Sequence, residues 1–207
     1  MTWEILNMIG TMAFAISGAI VAMEEKYDIF GVYLLGYVTA FGGGAFRNLL
    51  VGLPISDIWE QNTLFILAFV TLTVMFAVPF RYLQTWNRWG AFFDAIGLAS
   101  FAVQGALLAL AAGYPLSAVI VAGVLTGCGG GIIRDILAGR KPMVLHQEIY
   151  AMWAVLGAVV VGLGWVDTTV EIALLLIAIV SLRVLSVVKH WRLPSRWNWL
   201  DFIKGNH

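Results

Sequence analysis

Charge is what this 207-residue chain has least of: 12% of its residues are Asp, Glu, Lys or Arg, against 61% hydrophobic, and its mean hydropathy is +0.89. That leaves too little polar surface to cover a water-soluble domain, so an integral membrane protein is expected. The formal net charge is zero and no basic run precedes the last segment, which argues against a nucleic-acid partner. The single cysteine, Cys128, excludes an intramolecular disulfide and a cysteine-only metal site, and it reads as a small apolar packing residue. Catalytic patterns are missing as well. There is no His-Glu-x-x-His, no Gly-x-Ser-x-Gly elbow and no phosphate-binding Walker loop, so neither an enzyme nor a bound cofactor is expected. The start, Met1-Thr2-Trp3-Glu4, lacks a positive region and its apolar stretch runs on to Met23, longer than a signal peptide's core; a retained spanning helix is expected.

What the chain has is apolar length. About 20 residues at 1.5 Å rise cross a hydrocarbon core of about 30 Å, and windows of that kind fall at 5–23, 29–50, 63–80, 91–112, 116–138, 148–166 and 169–188. Seven spanning helices are predicted. The breaks between them carry polar or turn residues, from Glu24-Glu25-Lys26 through Pro54 to Asn62, Arg81 to Arg88, Gly113-Tyr114-Pro115 and Gly139 to Pro142, to Asp167. With the N-terminus outside, eleven of the twelve lysines and arginines fall on the cytoplasmic side and only Arg47 is left opposite, which predicts a cytoplasmic C-terminus in the cell membrane. Residues 191–207 then form a cytoplasmic interfacial tail. Trp3, Trp59, Trp86, Trp89, Trp165, Trp191, Trp197 and Trp199 lie at predicted helix ends and are expected to anchor them at the interface.

Two apolar segments carry the same pattern, Thr39 to Arg47 and Thr126 to Arg134, each with three glycines followed by arginine three positions on. Glycine weakens a helix by about 1 kcal/mol relative to alanine, so a triplet followed by a charge inside hydrocarbon needs a compensating use. The segments 10–52 and 97–139 align without a gap at an offset of 87, with sixteen identical positions. Each unit, 5–80 and 91–166, spans an odd number of helices, three, so the second enters from the opposite side. An inverted repeat follows, with 169–188 as a seventh helix. Within each unit a first-helix stripe at spacing four, Gly10, Phe14, Gly18, Ala22 and Gly97, Phe101, Gly105, Ala109, puts small residues on one packing face. Ala154, Ala158 and Gly162 form a similar strip, suited to an internal or a subunit contact.

Helices two and five are expected to break at Gly42, Gly43, Gly44 and at Gly129, Gly130, Gly131, leaving unpaired amides and carbonyls that must face protein or a water-filled path. A carbonyl cluster suits a cation, and half-helix N-termini suit an anion or carboxylate. Arg47 and Arg134, one turn beyond the glycines, either snorkel to headgroups or flank a central path. Asn48 and Asp135 follow the arginines and are possible partners for them. Asp94 is a third such candidate, or an acid at a helix start. Thr39 and Thr126 line the path or bond back to their own helices. Gln104, aligned with Ser17, is a midmembrane polar candidate, while His146 and Glu148 read as solvated loop residues.

The stretches Phe14 to Ala19 with Thr39 to Arg47, and Asp94 to Ala99 with Thr126 to Asp135, resemble the bacterial branch of the trimeric intracellular cation channels, whose duplicated domain is also known as the bacterial glycine-transporter domain. The resemblance covers about residues 5–190. It implies an all-α membrane protomer of two inverted three-helix units plus a seventh helix, assembled in lipid as a homotrimer. Each protomer would hold one pore around kinked helices two and five, for potassium or another monovalent cation; some members are described as glycine transporters instead. Asn48 departs from the family's aspartate, which Asp135 keeps. The animal branch's lysine-containing motif in the second helix is absent, so its lipid regulation is not implied. A monovalent cation channel is the first expectation and a carrier of glycine or a similar small zwitterion the second.

Overall fold

The computed structural model describes residues 2–78, 89–146 and 149–191, without the side chains of Thr2 and His146. The Arg81–Arg88 loop, Glu148, the His146 side chain, Trp86, Trp197, Trp199 and all of the expected tail but Trp191 lie outside what is described.

Among the described residues the chain is helical throughout. Its principal helices are α1 (Thr2–Glu24), α2 (Ile29–Val51), α3 (Asn62–Ala77), α4 (Trp89–Ala111), α5 (Leu116–Leu137), α6 (Ala151–Gly162) and α7 (Thr169–Val188), joined in part by a 3-10 turn at Ile55–Ile58 and one helical turn at Met143–His146. Five of them, α1, α2, α4, α5 and α7, are long and apolar enough to cross a membrane. The chain is thus a multi-pass membrane protein. The apolar helices α3 and α6 are shorter than their predicted windows, with 16 and 12 residues. At 1.5 Å per residue α6 runs about 18 Å, too short to span by itself. Its predicted window is lengthened by apolar residues that the chain uses outside the helix, with Gly164 in the left-handed conformation (φ 68°) turning it away after the helix end.

Local signals fix the helix ends. The Asp28 side chain accepts from the Gly31 N–H at the start of α2, and Gly52 (φ 73°) closes it with its own N–H on the Asn48 carbonyl. Thr168 and Glu171 form a capping box at the start of α7.

Helices α1 and α4 are the most enclosed pair, and they pack directly on one another. The stripes of small residues explain this. The Phe101 ring fills the space over Gly10, the Phe14 ring fills that over Gly97, and the two rings meet at 5.3 Å between centroids. Gly18 faces the backbone of α2 at Leu35 and Gly36, as Gly105 faces that of α5 at Ala122. Ala154 and Ala158 are fully buried, Ala158 lies over Gly123 of α5, and Gly162 abuts Val119, so the α6 strip serves an internal contact. Large apolar side chains such as Phe30, Leu49, Ile66, Val170 and Ile177 stand outward, as a lipid-facing surface requires.

Candidate functional site

The glycine triplets lie where α2 and α5 cross. Contrary to the expected breaks, α2 is helical without interruption from Ile29 to Val51 and α5 from Leu116 to Leu137, straight through Gly42, Gly43, Gly44 and Gly129, Gly130, Gly131. No break exposes a set of amides and carbonyls. Glycine's missing Cβ, rather than its backbone freedom, is what is used. A methyl on Gly43 would overlap the Thr126 carbonyl, and one on Gly130 would overlap the Thr39 carbonyl, so the two backbones touch at the middle glycines. The first glycines take a side chain from the opposite helix: Ile133 over Gly42 and Phe46 over Gly129, each 2.8 Å from where a methyl carbon would stand. The third ones face the guanidinium one turn on, with the Cβ position at 3.7 Å from Nη2 of Arg47 for Gly44 and from Nη2 of Arg134 for Gly131. Packing contacts thereby offset the helix-propensity loss. Thr39 and Thr126 take the second of their two expected roles: each hydroxyl donates to its own helix, to the Leu35 carbonyl at 2.6 Å and the Ala122 carbonyl at 2.5 Å.

Beyond the crossing each arginine turns inward. Arg47 is 4% exposed and Arg134 1%, so neither snorkels: protein side chains enclose both heads. Arg134 donates through Nη1 to Asp94 Oδ1 at 2.7 Å and to Ser17 Oγ at 2.6 Å, and through Nε to Asp135 Oδ1 at 2.9 Å, with Nη2 2.8 Å from that oxygen. Asp135 is itself held by the Met143 N–H, which donates to Oδ2 at 2.9 Å. Arg47 donates through Nε and Nη2 to Asn48 Oδ1 at 3.1 and 3.0 Å, and through Nη1 to Gln104 Oε1 at 2.9 Å, with the Trp3 ring centroid 5.3 Å away. Trp3 therefore does more than anchor a helix end. Asn48 keeps its place by donating to the Pro54 carbonyl at 3.0 Å. The offset of 87 relates the clusters: Ser17 of α1 serves Arg134 and its counterpart Gln104 of α4 serves Arg47, so each arginine reaches into the other half of the chain.

A cavity of about 570 Å³ opens onto Arg134, walled by Ser17, Ile20, Glu24, Asp135, Arg140, Lys141, Met143 and Arg183 among others. Several of these escape a reading of the sequence. Arg183 is wholly buried and lies 4.6 Å over the Tyr150 ring, which is itself buried and next to Gly131; nothing in the α7 pattern marks that arginine as inward-facing. At the mouth Arg140 bridges Glu24 at 2.9 Å and Glu25 at 2.6 Å, and the Tyr27 hydroxyl donates to the Leu137 carbonyl at 3.0 Å. Partial burial draws the Arg140 pKa down, but hydrogen bonds and charge from Glu24 and Glu25 outweigh it and leave the pKa above the ordinary value. Cys128 is buried in an apolar cluster with Leu98, Ala102 and Ala154, the packing role expected of it. Among the described residues no three side chains of metal-ligating type come together.

Known proteins share this architecture. The glycine transporter family model matches twice, over residues 4–79 and 91–165. The UPF0126 membrane protein YvgT of Bacillus subtilis is 59% identical over 97% of this chain and all of its own length. The UPF0126 inner membrane protein YadS of Escherichia coli K12 is 39% identical over 92% of this chain and 94% of its own. Among solved structures, a TRIC cation channel superposes with a TM-score of 0.80 at 36% identity, covering 93% of this chain and 96% of that one. The TRIC trimeric intracellular cation channel orthologue from Rhodobacter sphaeroides does so at 0.78 and 32%, covering 90% and 97%. The chain therefore belongs to the glycine transporter family in its duplicated form and is built like the bacterial TRIC channels.

Proposed function

We propose that this protein is a monovalent cation channel, conducting chiefly potassium, with one path in each protomer of a homotrimer embedded in the cell membrane. The observation that carries this reading is the glycine crossing of α2 and α5 with a buried arginine cluster on either side, in a chain 36% identical to a TRIC cation channel across nearly its whole length. In this reading α1 to α3 and α4 to α6 are two inverted repeats, α7 completes the seven, the N-terminus is outside and the C-terminus cytoplasmic. The cavity of about 570 Å³ is the inner vestibule, and it ends at Arg134.

Gly43 against Thr126 and Gly130 against Thr39 close the path at its centre. Conduction needs those backbones to part, with Ile133 withdrawn from over Gly42 and Phe46 from over Gly129. Gly42, Gly43, Gly44, Gly129, Gly130 and Gly131 line the gate together with the main-chain carbonyls of Thr39 and Thr126. Arg47 and Arg134 with Asn48, Asp94 and Asp135 set the charge on its two sides. The protein reconstituted in planar lipid bilayers is expected to give unitary potassium currents with no coupling ion; electrically silent membranes across repeated reconstitutions defeat the reading.

A second reading, a carrier of glycine or a similar small zwitterion, is favoured by the mixed charge of the vestibule, where Arg134, Arg140, Lys141 and Arg183 stand with Glu24 and Asp135, groups of the two signs that a carboxylate and an ammonium need. Saturable glycine uptake with counterflow into proteoliposomes, in place of currents, decides for it.

A further inference from the structure

The two arginine clusters differ in charge. Arg134 sits between two carboxylates, Asp94 and Asp135. The offset of 87 puts Asn7 and Asn48 at the corresponding places in the other half, and among the described residues no carboxylate pairs with Arg47. The Arg47 donors end on amide oxygens, of Asn48 and Gln104. Amide dipoles orient a guanidinium but bring no countercharge, so a full positive charge is enclosed at 4% exposure without its opposite. Two further observations lie beside it. Gln104 is wholly buried, its oxygen committed to Arg47, and its Nε2 has no hydrogen-bond partner. A void of about 10 Å³ lies against Arg47, bordered by Asn7, Thr11 and Gln61 on its polar side and by apolar residues such as Phe41 and Phe101 on the other. That is room for one small particle and not for an amino acid.

We propose that the Arg47 cluster binds one small monovalent anion of halide size, which supplies the countercharge that Asp94 and Asp135 supply in the other half. The void is too small for an amino acid's carboxylate and backbone, so this site is separate from any zwitterion pathway. It exists whether the chain conducts cations or carries glycine. Its effect on transport rests on the channel reading: with the anion in place Arg47 no longer repels cations approaching the crossing from that side.

Bromide is the probe. Anomalous diffraction from crystals of the detergent-purified protein grown in sodium bromide is expected to show a peak at Arg47 and none at Arg134. Asn48→Asp places a carboxylate on the guanidinium and is expected to abolish the peak. Asn7→Asp tests the same substitution of charge from α1, should the first variant fail to fold. In parallel, chloride in place of gluconate at equal ionic strength is expected to raise the melting temperature of the wild type and leave the aspartate variant unmoved. Absence of bromide at Arg47, or an equal chloride response in both proteins, overturns the site. A bromide peak with potassium currents equal in chloride and gluconate overturns only its role in conduction, so the two ideas fail separately.

Discussion

Gly43 lies so close to the main-chain carbonyl of Thr126 that a methyl group on it would overlap the oxygen. With the halves exchanged, Gly130 stands in the same relation to Thr39, and these paired approaches hold α2 against α5.

Alanine at Gly43 or Gly130 therefore forces backbone against backbone. Overpacking of this kind costs about 1–3 kcal/mol, and each variant is expected to melt earlier than the parent in detergent. Gly44→Ala is the control, since its methyl would rest at an ordinary 3.7 Å from Arg47 Nη2 and is expected to leave the melting temperature nearly unchanged. Equal losses from all three would mean that helix breaking, not close approach, is why glycine is there.

Asp94 and Arg134 form a pair buried to 0% and 1% exposure, and removing one member strands the other. Asp94→Ala is expected to destabilise by about 3–5 kcal/mol, and Ser17→Ala, which removes a neutral acceptor from the same guanidinium, by about 1.5–3 kcal/mol. Denaturant titration followed by tryptophan fluorescence ranks them, and a larger loss from Ser17→Ala contradicts the assignment.

The Arg140 bridge to Glu24 and Glu25 behaves differently because it is about one-third exposed. Arg140→Gln is expected to cost no more than about 1 kcal/mol, and the difference to vanish in 1 M salt, where screening reaches within about 3 Å. A base with a raised folded-state pKa contributes stability below its unfolded pKa and loses it only as pH rises through the folded one. For Arg140 that window begins above its ordinary value, so melting curves between about pH 7 and pH 10 should show no loss from this bridge. A drop within that range ascribable to Arg140 would refute the pairing.

Thr168→Ala removes the side-chain acceptor for the Glu171 N–H at the start of α7. A loss of about 1 kcal/mol is expected, visible as earlier exchange of the first-turn amides in hydrogen–deuterium exchange.

The helices are legible in the sequence because hydrophobic length is a local property, and every principal helix falls on a predicted window. The offset of 87 exposes the matching of Thr39, Arg47 and Asn48 with Thr126, Arg134 and Asp135, and the same alignment sets Ser17 opposite Gln104. What it cannot convey is that these partners are exchanged between halves, because reciprocity is a matter of three-dimensional contact. The glycines mislead for a physical reason. Low helix propensity signals both a break and a site of close approach, and only the neighbouring backbone distinguishes them. Arg183 and Tyr150 escape the sequence because a buried cation over an aromatic ring leaves no spacing in it.

Phe14 over Gly97, Phe101 over Gly10 and the two threonine carbonyls over the middle glycines share one property: socket and plug never come from the same half. A single half cut from this chain would carry holes it cannot fill and knobs with nowhere to go. It could complete itself only by meeting a second copy of itself, so the two halves depend on one another for their packing as two subunits of a dimer would.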